Sequence, residues 1–139
     1  MHENPSRDQI KEILKQAETI AVVGLSDKPD RTSHMVSAAM QKRGYTIIPV
    51  NPNAEEILGQ KSYKNLSDIP QSIDIVNVFR RSEYTPPIAK EAVKVGAKVL
   101  WLQLGIENEE SAQIAKDGGL EVIMDRCIKV EDSILNPKA

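Results

Sequence analysis

Residues 19–33 read TIAVVGLSDKPDRTS, and this stretch decides how the chain folds. An apolar run rich in β-branched residues ends at Gly24, a polar loop follows, and a helical pattern begins near Ser33. Unbroken apolar character predicts a strand that is covered on both faces, as in a parallel sheet. A strand, a glycine turn and a helix N-terminus together form an anion site, because backbone N–H groups converge there and the helix dipole adds positive charge. We therefore interpret this stretch as a phosphate-binding loop.

Composition narrows the class of protein. The chain has 139 residues, of which 40% are hydrophobic and 27% are charged, and its formal net charge is −2. These values predict one globular domain over residues 1–139, and the acidic balance argues against a nucleic-acid partner. The single cysteine, Cys127, excludes an internal disulfide, and no apolar stretch approaches the roughly 20 residues of a membrane span. Because residues 1–5 carry no signal-peptide pattern, we expect a cytoplasmic protein without a membrane partner.

Alternating strand and helix patterns predict the elements of the fold. Ser6 and Asn108 are predicted to cap amphipathic helices, and Thr85 is predicted to cap a helix that opens with prolines. Ile128, Ile134 and Leu135 are expected to pack a final short helix. The connection that contains Gly59, Ser62 and Tyr63 is expected to be irregular, and both chain termini are expected to be loose. Strands are predicted at residues 19–23, 45–50, 73–79, 98–102 and 120–124.

The order of these elements predicts an α/β fold. Strands that alternate with helices form a parallel sheet, so we expect a three-layer Rossmann-like sandwich around a five-stranded parallel sheet with strand order 3-2-1-4-5. Ligands of such folds bind in a crevice at the carboxyl ends of the strands, which this order places where strand one meets strand four. The strand ends expected to line it are residues 24–26, 50–52, 79–81, 102–105 and 125–127.

These strand ends favour a ligand with several phosphates. The dinucleotide fingerprint G-x-G-x-x-G is absent, because Gly24 stands alone, and no carboxylate follows Val50 to hold a ribose diol. Arginine forks bind phosphate oxygens bidentately, hydroxyl groups add donors, and Phe79 with Pro52 offers an adenine an apolar wall. The charged and hydroxyl side chains predicted around the crevice are Ser26, Lys28, Arg31, Thr32, Ser33, Arg80 and Arg81.

Motifs at all five strand ends resemble those of one family. They are Val23-Gly24-Leu25-Ser26-Asp27-Lys28-Pro29, Val50-Asn51-Pro52, Val78-Phe79-Arg80-Arg81, Trp101-Leu102-Gln103-Leu104-Gly105 and Met124-Asp125-Arg126-Cys127. Together they closely resemble the small stand-alone CoA-binding proteins, which are similar to the CoA-binding domain of the succinyl-CoA synthetase α subunit. The resemblance extends over about residues 8–135, nearly the whole chain.

The resemblance implies a ligand and a set of binding residues. It implies that the loop from Gly24 to Ser33, with Leu25, holds the phosphates of CoA or an acyl-CoA. It implies that the nucleotide is flanked by Val50, Asn51 and Pro52, that the groove is lined by Phe79, Arg80 and Arg81, and that Gln103 lies near the pantetheine path. The synthetases use a phosphorylated histidine in a later domain. Neither His2 nor His34 stands in a matching motif, so the resemblance does not extend to ligase activity.

Other functions stay open beside CoA binding. An NADP-linked oxidoreductase would tolerate the basic crevice, although no side chain offers a proton near a nicotinamide. A regulatory protein that reports CoA to a protein partner would need an exposed apolar surface, for which Trp101, Leu104 and Ile106 are candidates. The sequence contains no recognisable nucleophile–base pair and no metal-ligand cluster, so we predict binding without catalysis and without a metal.

A few further residues have alternative interpretations. Cys127 would lie beside the thiol end of the ligand, where a mixed disulfide with CoA is conceivable. Asp125 and Arg126 are interpreted as an ion pair that fixes the end of the fifth strand. His34 is interpreted as a helix-cap or surface residue rather than a ligand of a metal or phosphate.

Overall fold

The computed structural model describes residues 1–138. Its helices are α1 (Arg7–Gln16), α2 (Thr32–Lys42), α3 (Thr85–Lys94), α4 (Glu109–Asp117) and α5 (Ile128–Leu135), with short 3-10 helices at Leu66–Asp68 and Ser82–Tyr84. Its strands are β1 (Thr19–Val23), β2 (Thr46–Val50), β3 (Glu56–Ile57), β4 (Gln60–Lys61), β5 (Ile75–Val78), β6 (Val99–Leu102) and β7 (Glu121–Ile123). All five strands predicted from the sequence are present, some of them shorter than predicted.

The main sheet is built outward from β1. It has five parallel strands in the order β2-β1-β5-β6-β7, and Ile20 of β1 lies between Ile47 of β2 and Ile75 of β5. The predicted α/β sandwich with a five-stranded parallel sheet is therefore confirmed. Counted along the chain, the order is 2-1-3-4-5 and not 3-2-1-4-5, because the third strand returns to the free side of the first. The chain reverses direction across the sheet between β1 and β5, so the expected crevice moves there.

Two apolar clusters make the fold a three-layer sandwich. On one face of the sheet, Ala89 of α3 and Ala112 of α4 pack against strand residues such as Val76. On the other face, Leu14 of α1 packs into a cluster that also holds Trp101 and residues of α2 and α5. Trp101 has no exposed surface, and its Nε1 donates to the carbonyl of Arg126 at 2.8 Å. A sheet covered on both faces explains why the strands read as unbroken apolar runs.

Helix starts follow the predicted caps with one exception. Ser6 and Gln9 form the reciprocal capping box of α1, and Asn108 accepts from the N–H of Ser111 at the start of α4. Thr85 does not cap α3, because the 3-10 helix at Ser82–Tyr84 runs directly into that helix and makes Tyr84 its N-cap. The Thr85 hydroxyl is buried and instead lies 2.7 Å from that of Ser111, which joins α3 to α4.

The chain termini are held to the fold, contrary to the expectation that they are loose. Asn4 bonds both the N–H and the carbonyl of Met124 at 2.8 Å, and so satisfies backbone groups beside the edge strand β7. At the other terminus, Lys138 Nζ donates to the carbonyls of Lys15 and Ala17 at the end of α1. Only Ala139 lies outside the described residues.

The last helix is anchored by a buried carboxylate. Asp132 of α5 accepts a 2.6 Å hydrogen bond from the Tyr45 hydroxyl and pairs with Arg43 at 3.0 Å. Burial and this hydrogen bond raise the pKa of Tyr45, so its hydroxyl remains a donor. Ile128 is buried and Leu135 packs on the core, as predicted. Ile134 is exposed, contrary to the prediction.

The connection after β2 contains a hairpin that the sequence analysis predicted as irregular. Strands β3 and β4 pair antiparallel, and the two residues between them, Leu58 and Gly59, both have positive φ. That geometry is typical of a two-residue hairpin turn whose twist matches its strands. The hairpin was missed because its strands are only two residues long and because leucine rarely adopts positive φ.

Candidate functional site

Gly24 lies directly after β1, the strand from which the chain adds β2 on one side and β5 on the other. Its N–H donates to the carbonyl of Val50 at 3.1 Å, and the N–H of Phe79 donates to the carbonyl of Val23 at 2.9 Å. Gly24 has φ +87°, and a Cβ atom at this position would overlap the carbonyl oxygen of Phe79. Only glycine therefore allows the ends of β1, β2 and β5 to approach this closely.

Asn51 ties the loop after β2 to the loop after β1. Its Nδ2 donates to the carbonyl of Leu25 at 2.9 Å, and its Oδ1 accepts from the N–H of Asn53 at 2.8 Å. Both ends of the amide thus hold backbone, in the manner of a turn closed by an asparagine side chain. Asn51 frames the crevice, and its amide is already committed to protein partners.

The loop from Gly24 to Ser33 is also held by its own side chains. The N–H of Ser26 donates to Ser33 Oγ at 3.0 Å, and Ser26 Oγ accepts from the N–H of Lys28 at 3.1 Å. His34 Nδ1 lies 2.9 Å from the carbonyl of Ser26, which makes His34 a support of the loop. These bonds use N–H groups that the sequence analysis assigned to a phosphate, so the loop itself offers fewer donors than expected.

The N-terminus of α2 supplies the donors that the loop does not. Its N-cap, Arg31, makes no side-chain cap hydrogen bond, and its first turn contains no acidic residue. By contrast, α4 begins with the cap Asn108 followed by two glutamates. Among residues 1–138, no protein acceptor meets the N–H groups of Thr32, Ser33 and His34. Free N–H groups with the positive end of a helix dipole attract an anion.

A crevice of about 480 Å³ opens at this edge of the sheet. It brings together six of the residues predicted from the sequence, from the ends of β1, β2 and β5. Those six are Gly24, Ser26, Val50, Asn51, Pro52 and Arg80. The crevice lies between β1 and β5, as the observed strand order requires.

The far wall of the crevice was not predicted. It is formed by Lys64 and Asn65 and by three residues at helical spacing, Tyr84 at the N-cap of α3 and Ile88 and Glu91 within that helix. The spacing of those three residues was a usable signal, because one face of a helix that follows β5 must look toward the carboxyl ends of the strands. Lys64 carried no such signal, since it follows the unpredicted hairpin.

Charges of both signs line the crevice. The Arg80 guanidinium lies 5.6 Å from the ring centroid of Tyr84, which is a cation–π distance. Arg80 therefore lies against the far wall of the crevice. Lys64 adds a second positive charge. Glu91 is the one carboxylate of the described lining, and it accepts from the Ser67 hydroxyl at 3.1 Å. The balance is positive, which suits an anionic ligand.

The remaining predicted residues do not line this cavity. Leu25 is fully buried and Phe79 packs on the apolar cluster of α1 and α2. Ser33 is buried beneath the loop, whereas Lys28, Arg31, Thr32 and Arg81 are exposed. Gln103 is buried, with its Nε2 donating to Asn77 at 2.6 Å and its Oε1 accepting from the N–H of Ile128 at 3.4 Å. Its polar atoms thus join β6 to α5 inside the fold.

Two further interpretations from the sequence change with the structure. Arg126 donates to the main-chain carbonyl of Asp125, whose carboxylate accepts from the N–H of Gly105 at 2.7 Å, so the two side chains form no ion pair. The proposed partner surface is not assembled either, because Trp101 is buried and Ile106 packs on the core, which leaves Leu104 alone at 70% exposure. Cys127 is half-buried at the start of α5.

Residues 1–138 contain no group of three or more histidine, cysteine, aspartate or glutamate side chains placed to hold a metal ion. None of their helices has the length and the apolar character needed to cross a membrane.

Comparison with known proteins gives the crevice a chemical context. The family described as "CoA binding domain" matches residues 18–133. A Bacillus subtilis (strain 168) protein, "Uncharacterized protein YneT", is 57% identical over 132 residues, which are 95% of this chain and 98% of that protein. A solved structure described as "hypothetical protein from Pyrococcus horikoshii OT3" is 36% identical, with a TM-score of 0.92 and coverage of 98% of this chain and 99% of that chain.

A more distant relative is an enzyme subunit. The "Acetate--CoA ligase [ADP-forming] II subunit alpha" of Pyrococcus furiosus (strain ATCC 43587 / DSM 3638 / JCM 8422 / Vc1) is 26% identical over 131 residues. The match covers 86% of this chain but only 29% of the ligase subunit. The likeness is therefore to one part of that larger protein.

Proposed function

Because this chain belongs to the family of CoA-binding domains, we propose that it binds CoA or an acyl-CoA in the crevice between β1 and β5. The proposed role is binding, without a reaction of its own. At the edge of the crevice, the diphosphate is bound between Arg80, which lines it, and the first turn of α2, which lies outside it. The adenine lies against Pro52, and the pantetheine arm leaves past Tyr84.

One observation carries this proposal. The first turn of α2 has unpartnered N–H groups, no capping side chain and no acidic residue, and it follows directly on the glycine loop at the strand crossover. Ser26 connects the two, since it lines the crevice and is bonded to Ser33 in that turn. An uncapped helix start beside a cationic crevice is expected to stabilise a bound diphosphate.

Calorimetric titration of the purified protein tests the proposal. We expect saturable binding of CoA and acetyl-CoA. We expect weaker binding of NADP, because the loop after β1 lacks the G-x-G-x-x-G motif that binds dinucleotides. Binding of NADP alone would favour an oxidoreductase instead. An absence of heat with either CoA compound at millimolar concentration would reject the proposed function.

A further inference from the structure

A second cavity adjoins the crevice beside the hairpin, and we propose that Lys64, assisted by Lys61, recognises the 3′-phosphate of CoA there. These lysines would select CoA over 3′-dephospho-CoA. This inference rests on the proposed function and assigns to the β3–β4 hairpin a part in ligand choice.

The two cavities adjoin each other. The second has a volume of about 630 Å³ and lies between the end of β2 and the hairpin. Pro52, Asn53 and Lys64 line both cavities, so these three residues form their shared border. Lys61 and Ser62 belong to the second cavity alone.

The segment that carries both lysines is fixed to the end of β2. The N–H of Tyr63 donates to the carbonyl of Pro49 at 3.0 Å, and the N–H of Asn51 donates to the carbonyl of Tyr63 at 2.9 Å. Ser62 Oγ donates to the carbonyl of Asn51, also at 2.9 Å. These bonds continue the main sheet, since Tyr63 pairs in parallel with Val50. The backbone at residues 61–64 therefore keeps a constant distance from the crevice.

The two lysines differ in their surroundings. Lys61 Nζ lies 5.2 Å from the ring centroid of Tyr63, and Lys61 pairs across the hairpin with Glu56. Glu55 lines the second cavity together with both lysines. Among the described residues neither lysine forms an ion pair, but Lys64 lines both cavities whereas Lys61 lines the second alone. Lys64 is therefore the principal residue of the pair.

The chemistry of CoA requires a second cationic position. The diphosphate occupies one anionic centre, and the ribose 3′-monophosphate forms another, which is largely a dianion near neutral pH. If the diphosphate lies at α2 and Arg80 and the adenine at Pro52, the ribose lies toward the cavity that Pro52 and Lys64 share. A lysine is a flexible point charge that suits a phosphate at an open site.

The test compares two ligands that differ only by this phosphate. CoA and 3′-dephospho-CoA are titrated into the wild-type protein, Lys64→Ala, Lys61→Ala and the control Lys116→Ala, whose residue is exposed in the last turn of α4. We expect the wild type to bind CoA about tenfold more tightly than dephospho-CoA, a preference that falls as salt rises. Lys64→Ala should lose most of this preference, because its affinity for CoA should fall by more than its affinity for dephospho-CoA. Lys61→Ala should lose less, and Lys116→Ala none.

Each contrary outcome has a separate meaning. If the wild type binds both ligands equally, the 3′-phosphate assignment is overturned while the proposed function stands. If CoA is preferred but Lys64→Ala retains the full preference, the phosphate is recognised elsewhere and the inference is equally overturned. If the folded wild type binds neither ligand, the proposed function fails and the inference fails with it. Circular dichroism of each variant establishes that the protein is folded.

Discussion

Gly24 and Phe79 meet at the carboxyl ends of β1 and β5, and the carbonyl oxygen of Phe79 occupies the space that a side chain on Gly24 would need. The Cδ atom of Arg80 also lies 3.2 Å from that position. The floor of the crevice is therefore a direct contact of backbone with backbone. This contact brings the loop from Gly24 to Ser33 next to the arginine that lines the crevice.

Replacement of Gly24 by alanine should damage both folding and binding. Gly24→Ala places a Cβ atom against the Phe79 carbonyl and forces alanine into positive φ, so we expect a loss of about 2–4 kcal/mol in the free energy of unfolding. Urea denaturation measures the loss, and CoA titration measures the binding.

Gly96→Ala is the matched control for this substitution. Gly96 has φ +75°, but nothing lies within 4 Å of its added Cβ. Gly96→Ala should lower the free energy of unfolding by about 1 kcal/mol, because only the strain of positive φ acts there, and it should leave the CoA affinity unchanged. Equal losses of stability in the two variants would show that the contact with Phe79 is unimportant.

Arg80 and Arg81 are neighbours in the chain but have different surroundings. Arg80 lines the crevice and stacks on Tyr84, whereas Arg81 is exposed outside it. We expect Arg80→Ala to weaken CoA binding by about 1–3 kcal/mol, as for loss of a charge-assisted hydrogen bond to phosphate. Arg81→Ala should change the affinity by less than about 0.5 kcal/mol. Titration calorimetry at low salt compares them, and equal effects would contradict the assignment of Arg80 to the crevice.

The strands were predictable because their environment is uniform. Both faces of the sheet are buried, one by a cluster that includes Val22 and the other by a cluster that includes Val76. Most residues of a strand are therefore apolar, which produces the unbroken apolar runs in the sequence. The strand order was not predictable in the same way. An apolar β1 can accept β5 at either edge, and the choice depends on packing between distant segments rather than on any local pattern.

The candidate site was predictable only where it follows directly from a strand end. Gly24, Asn51 and Arg80 were found because the carboxyl ends of parallel strands meet at one edge. Ser33 was predicted from its place in the loop, and Gln103 only from the family resemblance; the structure shows both buried and bonded to protein. A polar residue at a strand end can serve the fold or the ligand, and its hydrogen-bond partners distinguish the two only in three dimensions.

Asn51 should not tolerate its isosteric acid. In Asn51→Asp, an oxygen replaces the Nδ2 that now donates to the Leu25 carbonyl, so two acceptors would face each other at 2.9 Å. We expect a loss of about 1–3 kcal/mol in the free energy of unfolding and weaker CoA binding. Thermal and urea unfolding measure the first effect, and calorimetry measures the second.

Asn53→Asp separates the effect of charge from that of geometry. Asn53 lines the same crevice and uses its backbone N–H, rather than its side chain, to bond Asn51. It should weaken CoA binding through repulsion and leave the stability nearly unchanged. If Asn51→Asp proves as stable as Asn53→Asp, the amide bond to Leu25 does not hold the loop.

The opposite edge of the sheet contains a carboxylate whose ionisation should stabilise the fold. Asp74 accepts from the N–H groups of Glu18 and Thr19 at 2.8 and 3.0 Å and pairs with Lys98 at 3.3 Å. Burial alone would raise the pKa of Asp74, but these bonds outweigh it and lower that pKa below its ordinary value of 3.8. Since the folded state prefers the ionised form, its contribution is present above pH 3.8 and is lost as the pH falls through the lower folded value.

Asp74→Asn should therefore be less stable than the wild type at about pH 7, and the difference should narrow toward about pH 3. Urea midpoints measured across this range give the difference directly. The control is Asp30→Asn, which removes an exposed carboxylate from the loop before α2 and should alter the midpoint little at any pH. A difference between Asp74→Asn and the wild type that stays constant down to about pH 3 would mean that the charge of Asp74 contributes nothing, and that only its hydrogen-bond geometry supports the start of β1.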